Sequence, residues 1–247
     1  YESRTITQAS ILKENLEELK ILKRKVTVAK LDIVAMYPSI QFKLVRKAVD
    51  FFSKSLSISD KKKIKKCLDM IKFGMSNTLV SFIDRFYEYD GDLDEEERGL
   101  TIGGYESAWL ADLVASYILE ITKKMFHETK YYGIYRDDGF IVFNGVMAKK
   151  EVNNWMRIFQ WNVDKLAECD CLQFTMEVWG RDDDPTILNE KLTYVNDTHF
   201  PYLDMEMYWN DSGELKFQVH MKPNQKLKYL NNDSFHLPST FKAIPKG

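Results

Sequence analysis

Two adjacent aspartates at the tip of a predicted β-hairpin constrain this chain more than any other feature. Asp137 and Asp138 lie between the apolar runs 131–134 and 140–143. Both runs are rich in the β-branched and aromatic residues that favour buried strands. Adjacent carboxylates repel each other unless a cation lies between them. A hairpin turn without any ligand explains the pair equally well, so the pair alone leaves both interpretations open.

A third aspartate favours a cation site. Asp32 lies within the apolar segment 26–35, which predicts a strand, and a carboxylate there is unfavourable unless it is paired, hydrogen-bonded or metal-bound. Mg²⁺ prefers one or two carboxylates together with substrate phosphates, and two ions held between neighbouring strands can clamp a phosphoryl group. The sequence therefore predicts a site for two Mg²⁺ ions, with Mn²⁺ as an alternative, held by Asp32, Asp137 and Asp138.

Hydrophobic periodicity predicts alternating helices and strands along the chain. Amphipathic patterns predict helices at residues 6–24, 40–55, 58–73, 107–126 and 149–167. Strands are predicted at residues 26–35, 79–87, 100–102, 131–143 (a hairpin), 174–179 (an edge strand), 202–208 and 215–221. Ser39 is predicted to cap the second helix, Ser57 or Ser59 to cap the third, and Gly74 to end the third. Together these elements predict an α/β plait, an antiparallel sheet with helices packed on one face.

Composition and charge narrow the class of protein. The 247 residues suffice for a real core, and no apolar run is long enough to predict a membrane span. The net charge of −2 does not favour nucleic-acid binding, but lysines cluster at residues 61–66 and between residues 216 and 246. A solvated helix face is the simpler explanation of the first cluster. The second interleaves lysines with aromatic residues, as nucleic-acid surfaces do.

The cysteines and the first residue bear on cellular location. Cys67, Cys169 and Cys171 form no zinc pattern, so free core thiols are expected in an intracellular, reducing compartment, either nuclear or cytoplasmic. The chain begins with Tyr1 rather than Met and has no apolar signal segment, which predicts a piece of a longer intracellular protein. The sequence predicts no oligomeric state.

Three segments, in this order, resemble polymerase motifs. Residues 32–37 resemble motif A, with its catalytic Asp and a later aromatic residue, and residues 99–107 resemble motif B, a glycine-rich turn before a helix. Residues 135–138 resemble the Tyr-x-Asp-Asp motif C of reverse transcriptases. The palm end of Penelope-like retroelement reverse transcriptases is similar to three further segments, 200–207, 213–223 and 228–236. The resemblance covers residues 26–247.

The resemblance implies an RNA-directed DNA polymerase of a retroelement with a two-metal mechanism. Asp32 and Asp137 would hold two Mg²⁺ ions, with Asp138 assisting and the Ile33 carbonyl as a further ligand. Tyr37 would exclude a ribose 2′-hydroxyl and so select deoxynucleotides. Further nucleotide contacts would come from Gly103, Gly104, Ser107 and Tyr135, and primer or template contacts from Lys222, Lys226, Lys228, Tyr229 and His236. Lys191 is a candidate for the acid that protonates pyrophosphate, although a plain surface lysine is the simpler explanation.

The resemblance also implies partners and a domain organisation. The partners are an RNA or DNA template with its primer and deoxynucleoside triphosphates, with no membrane involved. Residues 1–25 would form an N-terminal helical segment, residues 26–209 the reverse transcriptase palm, and residues 210–247 a C-terminal hairpin with a primer-grip-like segment.

Two departures from the family pattern concern substrate positioning. Ile102 stands where most reverse transcriptases have Gln, and Gly103-Gly104-Tyr105 replaces the Gly-Ser-Pro that is common in Penelope-like enzymes.

Two other function classes stay open. One is a palm domain that has lost catalysis and serves as a module binding nucleic acid or protein. The other is a palm enzyme like an RNA-dependent RNA polymerase or a cyclase.

Overall fold

The structure is a computed structural model that describes residues 9–22, 25–77, 79–88, 94, 96–104, 106–179, 187–189, 191–195 and 198–220. The candidate primer and template residues, from Lys222 to His236, lie outside these described residues. Their assignment therefore stays a prediction.

Helices and strands alternate through the described part of the chain. The helices are α1 (Ala9–Glu18), α2 (Met36–Ser39), α3 (Phe42–Phe52), α4 (Ile58–Ser76), α5 (Ser107–Thr122), a 3₁₀ turn (Lys123–Phe126) and α6 (Lys149–Ala167). The strands are β1 (Val28–Ile33), β2 (Leu79–Phe82), β3 (Arg85–Glu88), β4 (Thr129–Tyr135), β5 (Asp138–Phe143), β6 (Phe174–Trp179), β7 (Ile187–Asn189), β8 (Leu192–Val195), β9 (His199–Tyr202), β10 (Met205–Trp209) and β11 (Leu215–Val219). None of these helices is both long and apolar enough to cross a bilayer.

Six strands form the main sheet in the order β4-β5-β1-β6-β8-β7. Neighbouring strands are antiparallel except β6 and β8, which are parallel. The prediction of a purely antiparallel sheet is therefore wrong. The prediction of an edge strand at residues 174–179 is also wrong, because β6 lies between β1 and β8. Alternation along a strand specifies its buried face but not its neighbours, so the sequence pattern did not reveal that β8 rather than β7 adds to β6.

The main sheet has a core on each face. Leu31 and Ile33 of β1 belong to a core shared with α3, α4, α5 and α6. Val28 of the same strand belongs to a second core, formed with α1 and the small antiparallel sheet β9–β11. The predicted packing of helices on one face is right for α3–α6 and wrong for α1. Its apolar stripe, with Leu12 and Leu16 buried, packs on the opposite face.

The start of α3 differs from the prediction. Ser39 belongs to the one-turn helix α2, and its hydroxyl donates a hydrogen bond to the Val34 carbonyl at 3.1 Å. Gln41, which forms no side-chain cap, precedes α3. The predicted Ser39 cap is wrong because β1 ends at Ile33, two residues before the predicted end, and the chain turns into α2 first.

Three predictions about residues 57–102 have different outcomes. Ser57, one of the two candidates, caps α4 by accepting a hydrogen bond from the Asp60 N–H at 3.1 Å. Helix α4 continues through Gly74, since one internal glycine costs only about 1 kcal/mol relative to alanine. Residues 100–102 form no strand, and only Gly99 makes an isolated bridge, with Gln41.

The cysteines also differ from expectation. Cys169 and Cys171 are joined by a disulfide, so the expectation of free thiols is wrong for this pair. Cys67 is exposed and free. The Cys-x-Cys spacing argues against a zinc ligand pair but does not by itself show that the two thiols pair with each other, and the expectation of a reducing compartment loses the support of this pair.

Candidate active site

Four side chains form a row across one end of the main sheet. The strand register pairs Tyr135 with Asp138, Asp138 with Asp32, and Asp32 with Thr175. Directly paired residues of antiparallel strands point to the same face, with Cα atoms about 4.5–5.5 Å apart. Asp32 and Asp138 are therefore neighbours, and they lie on the sheet face opposite α3–α6.

Asp137 lies in the two-residue turn between β4 and β5. Its carbonyl accepts a hydrogen bond from the Ile33 N–H at 3.2 Å, which ties the turn to the end of β1. Arg136, the first turn residue, has a φ of 54°, a left-handed conformation that costs a non-glycine residue about 1–2 kcal/mol. Its guanidinium carbon lies 5.7 Å from the centre of the Tyr135 ring, within the range of cation–π attraction. The turn therefore holds Asp137 close to Asp32.

The carboxylates of Asp32 and Asp138 have raised pKa values. Burial and then the charge of Asp137 raise the pKa of Asp138 to about 6, although Lys30 opposes the shift. Burial and then the charge of Asp137 also raise the pKa of Asp32. Within the described residues, no hydrogen bond or ion pair engages the side chains of Asp32, Asp137 or Asp138. Negative charge is therefore concentrated at this end of the sheet, and the charge of Lys30 offsets it only in part.

Polar residues that the sequence analysis missed surround the carboxylates. Lys30 and Glu177, paired across β1 and β6, form an ion pair at 3.1 Å on the same face as Asp32. The Tyr202 hydroxyl donates a hydrogen bond to the Asp138 carbonyl at 2.7 Å, and burial raises the pKa of Tyr202. The period-two alternation of Lys30 with Asp32 was a usable signal. Nothing in the local sequence marked Tyr202, which approaches from the small sheet.

Replacing Asp138 with asparagine is expected to raise the melting temperature of the metal-free protein above pH 6. The folded carboxyl has a pKa of about 6 against an ordinary value of 3.8, so the folded state favours the protonated form. The stability linked to that proton is complete below the ordinary pKa and is lost as pH rises through about 6. The gain should be a few degrees at pH 8, since about 2–4 °C corresponds to each kcal/mol in a chain of this size.

Thermal unfolding in EDTA from pH 3.5 to pH 8 measures this effect. Asp211→Asn, in the exposed turn before β11, is the matched control and should follow the wild type at every pH. An Asp138→Asn protein that melts at the wild-type temperature at pH 8 would show that the Asp138 charge does not destabilise the fold.

Tyr37 lies in α2, two residues beyond the turn that follows β1. Its flanking residues Met36 and Ile40 are buried, and α2 contacts α5. The Tyr37 carbonyl accepts a hydrogen bond from the Leu100 N–H at 2.9 Å. The Tyr37 ring is partly buried against the core shared with α3–α6. The segment that resembles motif A is thus in direct contact with the segment that resembles motif B.

The glycine-rich turn places its backbone at the surface. Gly103 is exposed and has a φ of 90°, a conformation that favours glycine. A Cβ atom on Gly104 would lie 2.5 Å from the Ser107 Oγ. Ser107 begins α5 and is only 2% exposed, so it packs beneath the turn. Tyr135 is another predicted nucleotide contact. It is partly buried against the second core.

Two groups of lysines have different placements. Lys191 is exposed, and its ammonium donates a hydrogen bond to the Gln173 side chain. The pairing of Met176 with Leu192 places Lys191 at the level of Thr175, so it lies at the same end of the sheet as the carboxylates. The lysines of residues 61–66 are all exposed on α4, which agrees with a solvated helix face.

The donor atoms suit Mg²⁺, but the described residues do not form a complete cage. No group of three His, Cys, Asp or Glu side chains within the described ranges is placed to hold a metal ion. Mg²⁺ usually binds one or two carboxylates and fills its other positions with waters and substrate phosphates. Oxygen donors on adjacent strands, with raised pKa values, therefore fit an ion whose coordination is completed by substrate.

The comparisons with known proteins find a likeness in structure alone. No family model matches the sequence, and no curated protein matches it. The fold is similar to the structure of apo telomerase from Candida tropicalis truncated from the C-terminal domain, with a TM-score of 0.50 and 8% sequence identity. The match covers 89% of this chain and 41% of that chain. The chain therefore has a telomerase-like α/β fold and spans less than half the length of the matched chain.

Proposed function

We propose that this protein is a reverse transcriptase that extends a primer on an RNA template by two-metal nucleotidyl transfer. The observation that carries the proposal is the placement of Asp32 beside Asp138 and the Asp137 turn on neighbouring strands of a telomerase-like fold. Telomerase is a reverse transcriptase, and residues 135–138 carry the reverse transcriptase pattern. The finer assignment to Penelope-like retroelements rests on the residue pattern of the C-terminal segments alone.

In the proposed mechanism, the chain positions the reactants and shapes the local charge. Asp32 of β1 and Asp137 of the turn would hold the ions, with Asp138 and the Ile33 carbonyl as further donors. Bound Mg²⁺ would lower the pKa of a primer 3′-hydroxyl and neutralise the charge of the triphosphate. Tyr202 keeps the Asp138 backbone in place through its hydrogen bond at 2.7 Å. No side chain acts as a strong base, since such catalysis depends mainly on positioning and electrostatics.

The substrate contacts complete the proposal. Tyr37 lies under the sugar of the incoming nucleotide, and the backbone of the exposed Gly103 and the half-buried Gly104, supported by Ser107, approaches its base and phosphates. Lys191, at the same end of the sheet, is a candidate for the acid that protonates the leaving pyrophosphate, and a plain surface lysine is the simpler explanation of its placement. The primer and template contacts belong to Lys222, Lys226, Lys228, Tyr229 and His236.

Primer extension tests the proposal directly. The 247-residue chain is incubated with Mg²⁺, the four deoxynucleoside triphosphates and a DNA primer annealed to an RNA template. The expected result is addition of the nucleotide complementary to each templating base, abolished by EDTA. Failure to add any templated nucleotide with either Mg²⁺ or Mn²⁺ would contradict the proposal.

Titration calorimetry distinguishes the enzyme from a binding module that has lost catalysis. We expect a deoxynucleoside triphosphate to bind the wild-type protein only when Mg²⁺ is present, and to bind Asp137→Asn more weakly, because Asp137 would help to hold the Mg²⁺ that offsets the charge of the phosphates. Nucleic-acid binding without any metal-dependent nucleotide binding would favour the module. A preference for ribonucleotides in primer extension would favour an RNA polymerase.

A further inference from the structure

The backbone at Gly99 crosses closely over that of Pro38, the residue directly after Tyr37. A Cβ atom on Gly99 would lie 2.0 Å from the carbonyl oxygen of Pro38 and 2.7 Å from its Cα. Both neighbours are backbone atoms, so no side-chain rotation can make room. Any side chain at position 99 must therefore push the peptide between Pro38 and Ser39, directly after Tyr37, away from the crossing.

Buried residues hold the backbone in place on both sides of the crossing. The Leu100 N–H donates to the Tyr37 carbonyl at 2.9 Å, and Leu100 is only 3% exposed. On the other side, Met36 and Ile40 anchor the two ends of α2 in the core. Ala35 enters α2 with a φ of 46°, a conformation that an alanine keeps only when its surroundings impose it. The Tyr37 backbone is thus held in a defined position.

The segment that crosses Pro38 is itself fastened to two helices. We call residues 96–100 the return segment. The first two N–H groups of α3, which have no partner within the helix, donate to the carbonyls of Arg98 and Glu96 at 3.2 and 3.1 Å. The Glu96 carboxylate contacts Arg46 of α3 at 2.9 Å and Lys72 of α4 at 3.1 Å. A shift of α3 or α4 would therefore move the return segment, and with it Tyr37.

The return segment also leads directly into the glycine-rich turn. The Gly104 N–H donates to the Thr101 carbonyl at 3.1 Å, and Gly103 follows Leu100 by three residues. One continuous backbone therefore borders Tyr37 and the turn that would approach the nucleotide. A shift at Gly99 would change the distance between these two surfaces.

We propose that Gly99 is a positioning residue that sets how closely Tyr37 approaches the sugar of the incoming nucleotide. The inference rests on the proposed function, since it assigns Gly99 a part in choosing deoxyribose over ribose. The absence of a side chain at position 99 lets the return segment press Tyr37 into the place where its ring excludes a 2′-hydroxyl. Displacing the Pro38–Ser39 peptide, and with it the adjoining backbone of Tyr37, relaxes that exclusion.

The test compares Gly99→Ala with the wild type through two readouts. The first is the ratio of kcat/KM for deoxynucleotides to that for ribonucleotides, which we expect to fall about tenfold, equivalent to about 1.4 kcal/mol. The second is the ¹⁹F resonance of a fluorotyrosine placed at position 37, which we expect to shift. In a Tyr37→Ala background, Gly99→Ala should not change the ratio further, because the ring that it positions is absent.

Gly74→Ala is the matched control. Gly74 lies in α4, and a Cβ there would come no closer than 3.9 Å to its nearest neighbour, a carboxylate oxygen of Glu106. This variant should keep both the ratio and the resonance of the wild type. If Gly99→Ala fails to fold, Glu96→Gln is tested in its place. This variant weakens the anchor of the return segment and should lower the ratio about threefold.

The outcomes separate this inference from the proposed function. A wild-type protein that extends no primer contradicts the proposed function, while the ¹⁹F shift still decides whether Gly99 positions Tyr37. A folded Gly99→Ala protein with the wild-type sugar ratio overturns the inference. A wild-type ¹⁹F resonance in Gly99→Ala also overturns the inference. If Gly99→Ala does not fold, an unchanged sugar ratio in Glu96→Gln overturns it instead.

Discussion

Replacing Asp137 with asparagine is expected to reduce templated nucleotide addition about 1000-fold or more. Asparagine keeps the size of the side chain and the turn between β4 and β5 but removes the charge that would hold Mg²⁺ beside Asp32. Both carboxylates would help to hold the ions, and the hydrogen bond from the Ile33 N–H to the Asp137 carbonyl, at 3.2 Å, keeps the turn beside the end of β1. Single-turnover primer extension at saturating Mg²⁺ measures the loss.

The same assay supplies the controls. Asp32→Asn should cause a similar loss, and the Asp32→Asn, Asp137→Asn double variant should be no worse than either single variant, because residues that act as a unit have non-additive effects. Asp211→Asn, in an exposed turn of the small sheet, should retain full activity. If Asp137→Asn extends primers within a few-fold of the wild-type rate, the assignment of the metal site is wrong.

Replacing Tyr37 with alanine is expected to reduce the preference for deoxynucleotides about 100-fold. The tyrosine ring is partly buried, its carbonyl is fixed by Leu100, and its neighbours Met36 and Ile40 are anchored in the core. Removing the ring leaves a gap where the 2′-hydroxyl of a ribonucleotide fits, so ribonucleotide addition should rise while deoxynucleotide addition changes little. The ratio of kcat/KM for the two nucleotide classes measures the effect.

Tyr37→Phe separates the ring from its hydroxyl. Phenylalanine keeps the steric bulk, so this variant should retain the wild-type sugar preference. If Tyr37→Ala discriminates between the sugars as strongly as the wild type, then Tyr37 does not select the sugar. A loss of preference in Tyr37→Phe would show that selection depends on the hydroxyl instead of the ring.

Much of the local structure followed from short-range patterns. The hairpin around Asp137, the helix at residues 149–167 and the Ser57 cap of α4 were all predictable, because each depends on periodicity or capping within a few turns of chain. The predictions failed where a distant segment decided the outcome. Examples are the parallel partner of β6 and the packing of α1 on the opposite face. The disulfide between Cys169 and Cys171 is a local feature that the sequence pattern did not indicate.

The sequence by itself singled out the candidate residues: one aspartate within a predicted strand, two at the tip of a predicted hairpin, and an aromatic residue shortly after the first of them. Only the tertiary structure decided how they meet. Strand pairing sets Asp32 beside Asp138, and Tyr202 reaches the same strand from the small sheet. The tertiary structure alone also revealed the crossing of Gly99 over Pro38. The physical reason is that burial patterns specify the face of each strand, whereas the partner of a strand depends on contacts between remote segments.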